Sequence, residues 1–461
     1  MRRGIRAGLI VLAVVSAAAA HGAPIARAVL DNGLTVLAVR AEHTQIAGIG
    51  IVLGVSIADE PDGLHGARAM LQQFIVVDSH AQINEERSPV SAFINPRSSG
   101  LAVNTDWEFV EIALAIHEEE LGAGLAALRR HVFAAEITPE RLEETRGLVQ
   151  RGYDIAHHSP VQDTFELFRA AFYGDHPMAR SPQGTPESIA AITLEDLRAF
   201  RDSHYVPANA VLCLVAPVPT DAAIAAASAA FGDLPARPAP TSPDLPAGPS
   251  ESKVEVGESP ALVQASLAVG VPLPPCDDPR YLAGEMIAEL LDGRGGRLRR
   301  DLGLLQALAL AIPARLLEDH YPVGVLPIPM ARRPFLAVHA LTSPHTIEQT
   351  RRGLLRHLLA LRTGGVTDAE LARARERLVN AHTLRQERPV EAAIYLARRE
   401  LFGLGGSEEA TAAIEAITPE DLSAVANEYF IRHAVGVQMP AVTGGVPDDR
   451  GRPDQASYPA R

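Results

Sequence analysis

The chain has 461 residues, 47% of them hydrophobic and 21% charged, and a formal net charge of −14. That length accommodates two or more domains with sizeable cores. The acidic balance argues against non-specific binding to nucleic acid or to anionic membrane surfaces.

The chain opens with a basic stretch (Arg2, Arg3, Arg6), and an apolar run follows from Ala7 to Ala20. Small residues at Ala18, Ala20 and Gly22 complete the layout of a secretory signal peptide spanning residues 1–22. Its removal would take the net charge from −14 to −17. The run is shorter than the roughly twenty apolar residues that span a bilayer, and no later stretch is longer. The mature chain is therefore expected to be periplasmic or secreted, without a stable membrane span.

Leu34–Val39 and Ile46–Val55 alternate or run apolar as strands do, whereas Leu64–Val77, Thr105–Phe133 and Pro139–Ala156 have helical spacing. This mixture predicts an α+β sandwich with helices packed on one face of a sheet. Cys213 falls in a buried-strand pattern, Val211–Val215, and Cys276 in a turn-like segment after Pro274-Pro275. Spacing alone does not decide whether the two cysteines pair.

An internal repeat organises the chain. Ala191-Ile-Thr-Leu-Glu-Asp-Leu-Arg-Ala199 and Ala416-Ile-Thr-Pro-Glu-Asp-Leu-Ser-Ala424 agree at seven of nine positions, 225 residues apart. Each leads to a tyrosine (Tyr205, Tyr429) and then to a strand-like run, Val211–Val215 or Ala434–Met439. Thr193 and Thr418 are helix N-cap candidates, followed by acids that suit a helix start. A second echo, Ile137-Thr-Pro-Glu-Arg-Leu142 against Val366-Thr-Asp-Ala-Glu-Leu371, recurs at an offset of 229. The two echoes predict a tandem duplication. The halves span residues 23–233 and 251–440, joined by a proline-rich linker at 234–250 and followed by a disordered tail at 441–461.

Several segments carry a family resemblance. Leu30-Asp-Asn-Gly-Leu-Thr-Val-Leu37, Gly54-Val-Ser-Ile-Ala-Asp-Glu-Pro-Asp-Gly63, Tyr173-Gly-Asp-His-Pro177 and Gly184-Thr-Pro-Glu-Ser188 resemble, in order, segments of the pitrilysin/insulinase-type zinc peptidases. Asp277-Asp-Pro-Arg-Tyr281 and Leu291-Asp-Gly-Arg-Gly-Gly-Arg-Leu298 extend the resemblance into the second half. The resemblance implies two homologous α/β halves that form half of a clamshell. It also implies a His-x-x-Glu-His helix that binds zinc, with its glutamate as general base and a later glutamate as third ligand.

The corresponding run here is Gly66-Ala-Arg-Ala-Met-Leu-Gln-Gln-Phe74. Ala69 and Gln73 stand at the histidine positions, Gln72 at the catalytic glutamate and Gly152 at the third ligand. Alanine cannot ligate, and a carboxamide neither binds zinc well nor accepts a proton. The family's substrate-holding arginine and tyrosine align with Gly303 and Ala309. His117-Glu-Glu-Glu-Leu121 comes near a zincin pattern, but Leu121 occupies the second ligand position. No Gly-x-Ser-x-Gly elbow or phosphate-binding glycine loop is present.

The expectation is a pseudo-peptidase without metal or catalytic residues of its own. It would be the non-catalytic subunit of a heterodimer whose homologous partner carries the zinc and with which it acts on peptides. The alternatives are a periplasmic peptide-binding or scaffold protein, a homodimer, and a peptidase with unorthodox ligands.

Overall fold

The computed structural model describes residues 24–75, 101–156, 160–259, 262, 264–292, 296–303, 323–326, 331–404 and 406–441. The signal peptide, the tail from 442 onward, His157-His158 and Ala309 lie outside the described residues.

In the first half, β1 (Ala26–Val29), β2 (Thr35–Arg40) and β3 (Ile46–Leu53) lead to α1 (67–75). β4 (Ala102–Thr105) and β5 (Val110–His117) precede α2 (Leu121–Phe133), α3 (Pro139–Ala156) and α4 (Pro160–Tyr173). α5 (Pro186–Ala191), α6 (Leu194–His204), β6 (Ala210–Ala216) and α7 (Thr220–Phe231) complete the half.

The second half comprises β7 (Lys253–Ser259), β8 (Ala265–Pro272), α8 (Tyr281–Asp292), β9 (Val323–Val325) and β10 (Phe335–Thr342). It continues through α9 (Ile347–Ala360), α10 (Asp368–Glu387), α11 (Pro389–Leu401), α12 (Ser407–Ala416), α13 (Pro419–Tyr429) and β11 (Ala434–Pro440).

The α+β class of the sequence reading holds, and the duplication is visible in the topology. The sheets run β1-β2-β6-β3-β5-β4 and β7-β11-β8-β10-β9. β2 pairs parallel with β6 as β7 does with β11, while β3 and β8 meet those same neighbours antiparallel. β5–β4 and β10–β9 close the two sheets antiparallel. Apart from β1, one five-strand pattern occurs twice. Thr193 and Thr418 each form a capping box with an aspartate three residues on, Asp196 and Asp421, and Thr367 does so with Glu370.

The expected helix over Thr105–Phe133 is corrected: its first part is the end of β4, a turn and the inner strand β5, and the helix begins at Leu121. Ile112, Leu114 and Ile116 pack into the main core, while Ala113 and Phe109 pack on the opposite face. A strand buried on both faces reads as a continuous apolar run, which periodicity alone does not separate from a helix. Glu118–Glu120 form a 3₁₀ turn at the strand's end.

Both faces of each sheet are covered, where the sequence predicted helices on one. Each half's own helices cover the first face. The second face is covered by a helix from the other half. α11 lies on β3 and β6, its residues Ala392–Ala397 packed with Leu37, Val52 and Cys213. In return α4 lies on β11 and β8, with Phe168 and Phe172 against Ala268, Phe335 and Ala434. α4 and α11 begin 229 residues apart, each with a proline in its first turn, where the missing N–H costs nothing. Glycines allow the close approach. A Cβ on Gly48 would lie 2.1 Å from the carbonyl carbon of Pro389, and one on Gly436 would lie 2.3 Å from the Thr164 carbonyl oxygen.

Between the halves, Trp107 stacks on Phe165 at 5.2 Å and meets Phe335 at 5.0 Å, with the Arg169 guanidinium 5.0 Å over its ring. Residues 235–247 carry no helix or strand, but they are docked: the Asp244 carbonyl oxygen is 3.0 Å from His176 Nε2. Cys213 and Cys276 are free and buried. Burial pushes both thiols up, Cys276 to about 12.

Candidate functional site

Helix α1 carries the aligned motif, and its start is fixed by the turn before it. Gly63 and Gly66 hold left-handed φ values of 83° and 96°. At Gly66 a side chain would also strike the Gln183 carbonyl oxygen at 2.7 Å. The Glu60 carboxylate, buried at 3% exposure, accepts the N–H of Gly66 at 3.0 Å and of Arg68 at 2.8 Å. It thereby satisfies two donors at the helix entrance. Burial, opposed by Arg68 and by these two hydrogen bonds, raises Glu60 to about 7. The helix consequently begins at 67, three residues later than its apolar pattern suggests.

Arg68 points into the protein with no exposed surface. Its guanidinium donates to the carbonyl oxygens of Phe109 at 3.1 Å, Trp107 at 3.4 Å and Asp106, pinning the β4–β5 turn against the helix. Burial lowers its pKa against the opposing pull of Glu60. The sequence reading gave this pair no role. The available signal was a charged residue on the apolar stripe between Ala67 and Met70-Leu71.

Ala67, Met70, Leu71, Phe74 and Ile75 face the core, leaving Ala69, Gln72 and Gln73 together on the half-buried side. That side carries the i, i+3, i+4 spacing from which two histidines could reach one metal ion. Instead, Gln72 Nε2 donates to the Val103 carbonyl oxygen of β4 at 3.1 Å, tying the helix to the sheet's edge strand. Gly152 is exposed on α3, and a Cβ built there would meet nothing within 4 Å. These residues do not fit zinc: a methyl group, two carboxamides (one already committed to a backbone carbonyl) and a missing side chain offer no anionic or imidazole donor.

Nearby His65 is already engaged. Its ring Nδ1 lies 3.2 Å from Arg180 Nη1, its carbonyl accepts from Ser188 Oγ at 2.7 Å, and burial and Arg180 hold its pKa down. Among the described residues, no three His, Cys, Asp or Glu side chains converge as a metal-binding group. In the second half, Gly303 ends a π-turn, Arg299–Gly303.

Residues 191–378 match the family model described as "Peptidase M16 inactive domain". That part of the chain is thus similar to the pitrilysin-type M16 peptidases. Similar proteins align over nearly the chain's whole length. A protein named as an uncharacterized zinc protease of Mycobacterium leprae is 23% identical over 422 residues, 89% of this chain and 91% of the relative. Its namesake in Streptomyces coelicolor is 22% identical over 421 residues, 89% of each.

Among solved structures, a protease from Helicobacter pylori superposes with a TM-score of 0.79 at 18% identity, covering 91% of this chain and all of that one. A peptidase M16 inactive domain from Pseudomonas fluorescens gives 0.76 at 20%, covering 91% and 98%. A chain of Complex III2 from Candida albicans gives 0.68 at 15%, covering 90% and 95%. At these identities the solved structures establish the two-lobed fold alone. Among the described residues no helix is long and apolar enough to cross a membrane.

Proposed function

We propose that this chain is the non-catalytic subunit of an exported zinc-peptidase complex, paired with a homologous M16 subunit that carries an intact His-x-x-Glu-His helix and the zinc. One observation carries the reading: α1 keeps the fold of a ligand-bearing helix while Ala69, Gln72 and Gln73 occupy its ligand positions and Gln72 is spent on Val103. Relatives named zinc proteases that align over about nine-tenths of the chain point to peptides as the substrate class. The basic-then-apolar N-terminus supports export to the periplasm or beyond. In such a pair this chain would contribute wall and binding surface, so that substrate binding energy is shared between the subunits.

The test is affinity purification of the tagged mature chain from its native envelope, with identification and peptidase assay of what co-purifies. A stoichiometric partner bearing the intact motif, whose peptidase activity falls when this chain is removed, supports the proposal. Recovery of the chain alone, or turnover unchanged after its deletion while the partner stays stable, transfers the reading to a peptide-binding or scaffold protein.

A further inference from the structure

Remote from α1, the second half contains an open cleft of about 430 Å³ built around arginines. Arg297, at 8% exposure, grips Glu370 through Nε at 3.1 Å and Nη2 at 2.9 Å, and Nη2 also donates to the Gly365 carbonyl oxygen at 2.7 Å. Glu370 additionally accepts the Thr367 N–H and hydroxyl, each at 3.1 Å, and these donors hold it down to about 2. Arg300 donates to Asp301 at 2.8 Å and lies 3.6 Å from Glu370. Arg373, three residues beyond Glu370 on α10, also lines the cleft. It is exposed and makes no ion pair or hydrogen bond among the described residues.

Three guanidinium charges therefore meet two carboxylates, and Arg297 and Arg300 already hold both. The remaining lining group, His357, adds no negative charge. It lies 3.8 Å from Asp301, yet burial first, then Arg356, Arg297 and Arg300, keep its pKa below the usual histidine value. The cleft is thus a local positive site on a chain of net charge −14.

We propose that this cleft binds a small oxyanion, phosphate or carboxylate, with Arg373 as the uncompensated guanidinium and Arg300 as the second donor. The guanidinium fork matches either oxyanion with paired N–H donors. The volume lies within the roughly 300–1,000 Å³ typical of small-molecule sites. Arg297 acts as a positioning residue: by locking Glu370 onto Thr367 and itself, it keeps that carboxylate from neutralising Arg373.

The experiment is calorimetric titration of the full mature chain with inorganic phosphate and, separately, with glutarate, at ionic strength held constant with sodium chloride. Saturable binding of at least one is expected, and the tighter of the two identifies the oxyanion class. Arg373→Met and Arg300→Met are each expected to weaken it by about tenfold or more, the scale of one charge-assisted contact. Arg40→Met, which removes the same charge from an exposed site on β2, is expected to leave affinity unchanged. Absence of saturable binding by both probes overturns the proposal. So does equal affinity in Arg373→Met and wild type, or an equal loss in Arg40→Met.

Discussion

The reciprocal packing of α4 and α11 makes a sharp demand on Gly436. Its φ lies outside the left-handed region, so alanine would meet no backbone penalty there. The obstacle is α4: a Cβ would sit 2.3 Å from the Thr164 carbonyl oxygen, 2.4 Å from Phe168 N and 2.9 Å from Phe168 Cα. Ordinary contact begins near 3.4 Å, and backbone atoms of a packed helix cannot rotate aside. Gly436→Ala therefore requires α4 to withdraw by about 1 Å. Withdrawal loosens Phe168, which has no exposed surface, and the stack of Phe165 on Trp107.

Overpacking costs roughly 1–3 kcal/mol, and partial loss of a Phe side chain's burial adds part of another ~2 kcal/mol. The expected destabilisation is about 3 kcal/mol. Urea unfolding followed by far-UV circular dichroism and by tryptophan fluorescence measures it. The second probe reports this seam directly, because Trp107 is the chain's one tryptophan. Gly122→Ala in α2 is the matched control: a Cβ there meets nothing within 4 Å, so the change should be neutral or stabilising by up to ~1 kcal/mol. If Gly436→Ala lies within about 0.5 kcal/mol of wild type, the close approach is not a real constraint and the interlocking argument fails.

Other outcomes follow from the same geometry. Gly48→Ala, at the close approach of β3 to α11, should cost a similar amount; an effect confined to one of the two glycines would show that only one of the two cross-half contacts is tightly packed. Glu60 titrates at about 7 in the folded chain against 4.5 as an unperturbed glutamate, so folding favours its protonated form. That contribution is complete below about pH 4.5 and disappears as pH rises through 7. At about 1.4 kcal/mol per pH unit it amounts to roughly 3 kcal/mol of stability lost between pH 5 and 8. Denaturation curves at those two pH values should show the loss in wild type and lack that component in Glu60→Gln. EDTA should leave the melting temperature unchanged, since the aligned positions offer no metal donor set; a fall of several degrees would place a metal in the chain. Thr418→Ala removes the Oγ that accepts the Asp421 N–H at 3.2 Å and should cost about 1 kcal/mol by thermal melting.

The parts of this fold that sequence reveals are those governed by local chemistry. Thr193, Thr367 and Thr418 are legible as helix starts because a capping box is written within four consecutive residues. Ala210–Ala216 and Ala434–Pro440 are legible as strands because their apolar runs are short and bounded. β5 was not, since a strand buried on both faces loses the alternation that distinguishes it from a helix. The exchange of α4 and α11 was equally hidden. At their offset of 229 residues they share only Pro160-Val161/Pro389-Val390, Leu167/Leu396 and Arg169/Arg398, and what pairs them is the complementarity of each to glycines in the opposite half. Gly48 and Gly436 carry no local turn signal, so their purpose appears only when the partner helix is in place.

The same separation of local from long-range determinants explains how α1 can keep its place without its ligands. What fixes the helix is Glu60 at its entrance, Arg68 against the carbonyls of the β4–β5 turn, and Met70, Leu71 and Phe74 in the core. None of these is a ligand position. Ala69, Gln72 and Gln73 share the half-buried face, where replacing a ligand removes chemistry but leaves no cavity in the core. Gln72 goes further by turning its amide to Val103, so the face that would hold a metal becomes a tie between helix and edge strand. Restoring histidines at 69 and 73 and a glutamate at 72 would therefore supply two ligands and a base while breaking that tie. With Gly152 still lacking a side chain, the third ligand would remain absent, and such a triple variant should fold yet hold zinc weakly, as equilibrium dialysis against zinc would register. Stoichiometric, tight zinc in that variant would mean that another residue completes the site and that Gly152 is not the position that matters.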